Sequence, residues 1–195
     1  MTSPVRPLLA SALLFVALAS GASAAPSPPV QIALGESAAA VNKALGPFDT
    51  LARFGGPSSN PTETFLASGL EIELLRGKVK TITVRHAAPS LRPDSTDKLK
   101  QAVATVERVG AGDAVPVSIG ETAHAVHKAL GGFDSIMLNG PLGSQTENYF
   151  AAGLSVQYSQ NKVSSLTVMR FVLPPKWRHS AKAEFKQAVV SVPGA

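Results

Sequence analysis

Gly35–Asp49, GESAAAVNKALGPFD, lies over Gly120–Asp134, GETAHAVHKALGGFD, with 11 of 15 positions identical at an offset of 85. Downstream, Thr62–Val84 matches Thr146–Val168 with 9 of 23 identical and the offset slipping to 84. The similarity runs on into Lys100–Val103 and Lys186–Val189. The chain is therefore one unit written twice, and whatever one copy folds into the other folds into as well. The slipped residue falls between Thr50–Pro61 and Ser135–Gln145, segments rich in Gly, Pro, Ser and Asn that read as loops.

Each copy carries the same local signals. Ser37 and Thr122 are placed to N-cap a helix with Val41, Ala44 and Leu45, or Val126, Ala129 and Leu130, on one face, closed by Gly46 or Gly131. Period-two alternation follows. Leu70, Ile72 and Leu74 oppose Glu71 and Glu73, and Leu154, Val156 and Tyr158 oppose Ser155 and Gln157. Arg76-Gly77 and Gln160-Asn161 predict tight turns into Val79–Val84 and Val163–Val168, with Thr64–Ala67 and Asn148–Ala151 adding a third strand. Leu99, Ala102, Val103 and Val106, and again Phe185, Ala188, Val189 and Val192, fall at i, i+3, i+4 and i+7, which predicts a second amphipathic helix. The expected class is α+β: two tandem repeats, each helix, loop, antiparallel three- or four-stranded sheet, helix, with the helices on one face of the sheet.

The chain has 195 residues. Residues 1–24 read as a signal peptide, with Arg6 in a short basic start, an apolar run Leu8–Ala19 and small residues ending Ala22-Ser23-Ala24. Residues 25–108 then form repeat 1 and residues 109–195 repeat 2. No second apolar run approaches the roughly 18 residues a membrane span needs, so a periplasmic or secreted location is expected. The leader carries Arg6 and no acid, leaving the mature chain one charge less basic than the formal +5. Despite a pI near 9.7 the cations are scattered among acids, which argues against a nucleic-acid partner. Arg170, Lys176, Arg178, Lys182 and Lys186 make the C-terminal part locally basic, and an anionic envelope surface is the more plausible electrostatic partner. The chain has no cysteine, which excludes disulfides, thiolate metal sites, cysteine nucleophiles and a cysteine-linked lipid anchor.

The pattern Gly-x-Ser/Thr-x-x-x-Val-x-x-x-Leu-Gly, carried by Gly35, Ser37, Val41, Leu45 and Gly46 and by Gly120, Thr122, Val126, Leu130 and Gly131, resembles the small-repeat superfamily of secreted β-lactamase inhibitory proteins. It is also similar to the SmpA/OmlA outer-membrane assembly lipoproteins. The tandem arrangement favours the inhibitory proteins, and that resemblance implies two units side by side presenting a concave sheet to a partner enzyme. It implies a fold, and it assigns no contact residue.

Positions shared by both copies serve folding: Phe48 and Phe133 as core plugs, Asp49 and Asp134 as turns or caps. Positions that differ are the better places for function. His124 and His127, at i and i+3 where copy one has Ala39 and Asn42, have a spacing that can share zinc, but such a site needs three or four ligands. Only Glu121 and the distant His179 extend the pair, so a solvated helix face is the reading and no metal or other cofactor is expected. Pro174–His179 carries the only Trp, and Trp177 with Arg178 is the residue pair most typical of interface anchors. The polar strand face, with Glu71 and Glu73, together with Tyr149 and Tyr158, is a second candidate binding surface. No nucleophile motif or carboxylate pair suggests catalysis. The sequence thus points to an exported, non-enzymatic binding module, an inhibitor or buffer of a protein partner, with a soluble envelope assembly or structural factor as the alternative.

Overall fold

The structure, a computed structural model, describes residues 28–53, 60–89, 91, 100–109, 113–139, 144–172 and 185–193. The predicted leader lies outside these residues. Copy one contributes β1 (Val30–Ile32), α1 (Ala38–Leu45), β2 (Thr50–Arg53), β3 (Pro61–Phe65), β4 (Leu70–Leu75), β5 (Lys78–Val84) and β6 (Val103–Glu107). Copy two repeats the order with β7 (Ala114–Val117), α2 (Ala123–Leu130), β8 (Ser135–Asn139), β9 (Ser144–Tyr149), β10 (Leu154–Ser159), β11 (Lys162–Val168) and β12 (Val189–Val192).

The expected α+β repeat with two helices per copy is corrected. The strands build an eight-stranded antiparallel sheet, β2-β3-β4-β5-β11-β10-β9-β8, and a four-stranded one, β1-β12-β6-β7. The described residues of each copy hold a single α-helix. The segments predicted as second helices are β6 and β12. The fully buried residues in and just before them are Ala102, Ala104 and Val106, and Ala188, Val190 and Val192, a period of two that the periodic spacing of Leu99 or Phe185 had obscured. Val103, Thr105 and Val106 are also β-branched, which favours a pleated strand over a helix. The segments read as loops after Asp49 and Asp134 begin instead as the edge strands β2 and β8.

The first helices form where the caps predict. Ser37 Oγ accepts from the Ala40 amide and Thr122 Oγ1 from the Ala125 amide, each at 3.2 Å. Each helix start hangs on the neighbouring hairpin: Gly35 N–H donates to Val79 O at 2.8 Å and Ala38 N–H to Gly77 O at 2.9 Å, with Gly120 to Val163 and Ala123 to Asn161 as the counterparts. Asp49 and Asp134 tie the end of the helical segment to the turn that follows β3 or β9, accepting from the Leu66 and Phe150 amides. That turn needs glycine. At Gly69 (φ 69°) and Gly153 (φ 61°) a Cβ would drive into the Arg85 and Met169 carbonyl oxygens, the same groups that follow β5 and β11.

One hydrophobic core spans both copies on one face of the large sheet. Leu70, Ile72, Ile82 and Val84 and their counterparts Leu154, Val156, Leu166 and Val168 face Ala104, Val106, Val190 and Val192 of the small sheet, all fully buried. Helices α1 and α2 cover the same face toward its two ends, sealing Val41 and Val126. The copies are also interlaced. β1 of copy one pairs with β12 of copy two, Ile32 opposite Val190, while β7 of copy two pairs with β6 of copy one, Val117 opposite Ala104. Each copy's first strand thus completes the other copy's sheet edge.

Candidate binding face and a buried carboxylate cluster

The core occupies one side of the eight-stranded sheet, so the alternate residues of every strand form the other. Following the register from edge to edge, one transverse row reads Thr50, Thr64, Glu71, Thr83, Thr167, Ser155, Asn148, Ser135. Every member carries a hydroxyl, carboxylate or amide. The row crosses from copy one to copy two between Thr83 and Thr167, whose hydroxyls are 3.4 Å apart.

The two halves of this face differ in charge. In copy one, Glu71 pairs with Arg85 at 3.0 Å and Glu73 with Lys80 at 2.8 Å, and Asn60 also donates to Glu73. The Lys80 ammonium, more than any other neighbour, holds the Glu73 carboxyl below the usual carboxylate range. In copy two the corresponding positions are Ser155, Gln157 and Ser164, and the bonds there are neutral, as from Asn148 to the Ser135 hydroxyl at 3.0 Å. Glu71 and Glu73 therefore lie on the open face, as expected.

Tyr149 and Tyr158 do not. Both are on the core side, 3% and 1% exposed, so they are corrected from surface contacts to interior groups. Tyr158 continues the inward series Leu154, Val156, and Tyr149 sits opposite Leu154 on the neighbouring strand. Trp177 and Arg178 lie outside the described residues. Phe48 packs against the core as expected, while Phe133 is 37% exposed and rests on the His127 ring at 5.8 Å.

What sequence reasoning missed is the group around Glu147, a carboxylate 1% exposed. His127 Nε2 lies 2.9 and 2.8 Å from its two oxygens, Gln145 Nε2 donates at 3.2 Å and the Tyr149 hydroxyl at 3.3 Å. A carboxylate only accepts, so Nε2 carries the ring proton in this contact. The Tyr158 hydroxyl is buried in the same cluster without a hydrogen bond of good geometry. Burial, with the charge of Glu147 adding to it, pushes the Tyr149 hydroxyl far above the ordinary tyrosine range. Burial does the same to Tyr158, so both remain donors.

Copy one builds the same position more sparingly. Glu63 is 5% exposed and receives one bond, from Asn42 at 3.4 Å. Its Oε2 and the Asn42 Oδ1 are buried without partners, and burial raises the Glu63 carboxyl above its usual range, the Asn42 bond opposing the shift only in part. The signal was present in the sequence: Glu63 and Glu147 share a strand face with the inward Phe65 and Tyr149, and the polar swap Asn42 to His127 occurs on the helix directly above. His124 is exposed on α2 and lies outside this cluster. Among the described residues no three His, Asp or Glu gather as a metal site, and no helix is long and apolar enough to cross a membrane.

No family model matches the chain, and neither a curated protein nor a solved structure matches it.

Proposed function

We propose that the chain is an exported, non-enzymatic binding module that receives a protein partner on the open face of the eight-stranded sheet. The observation that carries this reading is the continuous polar row running across all eight strands and both copies. A face of that width offers hydrogen-bonding groups at strand spacing, and the charged half supplied by Glu71 and Glu73 gives it an orientation that a symmetric face would lack. The same face is where the resemblance to β-lactamase inhibitory proteins implies a partner enzyme would sit. The buried Glu147 cluster is read as interior architecture, because its tyrosines are sealed and no nucleophile stands beside His127.

The test is affinity capture. The mature chain from Ala25, immobilised, is exposed to envelope extract and to a panel of β-lactamases, and the retained protein is then titrated against Glu71→Ser/Glu73→Gln. These are the residues copy two holds at the same positions, so the fold tolerates them. A stoichiometric partner whose affinity falls about tenfold or more, measured well below the melting midpoint of the double variant, supports the reading. A partner that ignores the double variant but is lost on truncating Trp177 and Arg178 moves the surface to those two residues and overturns the sheet-face assignment.

A further inference from the structure

At the end of the large sheet where β4 turns into β5, the surface opens into a groove of about 850 Å³, within the size range of small-molecule sites. Leu34, Val79 and Met169 give it an apolar lining, and Leu75, 46% exposed, stands at its rim. Arg76, Lys78, Lys80 and Arg170 also line it, and no acidic side chain does. Lys80 is engaged by Glu73. Among the described residues no carboxylate pairs with Arg76, Lys78 or Arg170, and the carboxylate of Glu36, next along the chain from Gly35, is turned onto the Ala33 amide 3.1 Å away.

The repeat supplies an internal comparison. At the equivalent end of copy two, Leu75 becomes Ser159, Arg76 becomes Gln160 and Lys80 becomes Ser164. Where Met169 lines the copy-one groove, the other end has Arg85, already neutralised by Glu71 at 3.0 Å, and Arg170 is answered by His86. The backbone is the same at both ends, down to the left-handed residues Arg76 and Gln160 in the turn. Folding therefore does not require an exposed leucine beside three uncompensated cations, and exposing that combination has to be explained by what it contacts.

We propose that this groove binds a single-chain anionic amphiphile, a long-chain carboxylate with its tail along Leu34, Leu75, Val79 and Met169 and its head among Arg76, Lys78 and Arg170. Guanidinium groups present paired donors matched to a carboxylate, and the apolar lining gives the tail somewhere to leave water. The groove does not include the row through Thr83 and Thr167, and it adjoins the proposed partner surface at Lys80, which pairs with Glu73, and at Thr81.

The experiment is calorimetric titration of the mature chain with dodecanoate below its micelle concentration, beside dodecyltrimethylammonium as the same tail with a cationic head. The expected result is one saturable dodecanoate site per chain, no comparable site for the cation, and about tenfold or greater weakening in Leu75→Ser/Arg76→Gln. The same loss is expected in Arg170→His, and both variants copy residues already present at the other end, so their thermal midpoints should match the parent. Absence of a saturable dodecanoate site, equal binding of the cationic amphiphile, or undiminished binding by both variants overturns the proposal. So does binding confined to vesicles of anionic lipid.

Discussion

Thr83 and Thr167 occupy the same position in the two copies and lie directly opposite one another, their hydroxyls 3.4 Å apart at the centre of the eight-stranded sheet. A residue paired with its own counterpart marks a local twofold axis. The small sheet shows the same relationship at Ala104 and Val190, so one axis runs through both layers.

The axis makes Thr83 and Thr167 a sensitive probe of the seam. Like charges directly opposite on neighbouring strands are unfavourable and opposite charges favourable, by up to about 1 kcal/mol. Thr83→Lys/Thr167→Lys should therefore melt a few degrees below Thr83→Lys/Thr167→Glu, with the single variants between them. Thermal unfolding in low salt measures the order, and a matched pair of midpoints would mean that the seam is not formed in solution.

Around Glu147 the prediction concerns coupling. His127→Ala leaves a buried carboxylate held only by Gln145 and Tyr149, at a cost of about 2 kcal/mol. His127→Asn, which installs the copy-one residue, should cost less. Combining His127→Ala with Glu147→Gln should be clearly non-additive, since the second change removes the charge that the first left stranded. Urea midpoints at constant slope provide the cycle.

Glu63 and Glu73 predict opposite responses to pH. Burial raises Glu63, so the folded chain holds that proton more tightly than the unfolded one, and this residue's contribution to stability falls as pH rises from about 4.5 through its folded value. Glu63→Gln should stabilise the protein at neutral pH, on the order of 1 kcal/mol, and lose that advantage in acid. Glu73 is lowered by Lys80, so its contribution is present above about 4.5 and disappears as pH falls through its folded value. Glu73→Gln should accordingly cost stability at neutral pH and nothing in acid. Urea unfolding of both variants across that range reads the two signs directly.

The sequence made the duplication legible by self-comparison, and the capped helices and the β4–β5 and β10–β11 hairpins because each rests on signals close together in the chain. Ser37 and Thr122 cap, Arg76-Gly77 and Gln160-Asn161 turn, and the alternation of Leu70–Leu74 names its own face. What failed was decided at longer range. β6 and β12 look helical by spacing because Val103 and Val189 are apolar too; only pairing with each other and with the swapped first strands makes them a sheet. The candidate face was half legible: Glu71 and Glu73 followed from alternation, but the same alternation places Tyr158 inside. Glu147 was hidden because a lone Glu between polar neighbours carries no local sign that a helix from 20 residues earlier will set a histidine on it.

The strand exchange between copies predicts how the halves behave when separated. Residues 25–108 expressed alone lack the β12 partner of β1, and residues 109–195 lack the β6 partner of β7. Neither should unfold cooperatively as a monomer, and mixing the two should restore a single thermal transition and a one-to-one complex on sizing. Two stable monomeric halves would contradict the interlaced sheet.

A pair of units that trade their opening strands about a twofold axis has the anatomy of a symmetric homodimer, with both subunits here joined in one chain. Before fusion, any substitution appeared on both subunits at once, and a surface could not be cationic at one end without being cationic at the other. Joining the subunits raised their effective concentration and removed that constraint. Leu75 against Ser159, Arg76 against Gln160, and Asn42 against His127 are differences that only the fused form could accumulate. Fusion thus leaves two ends that share a backbone and carry different side chains.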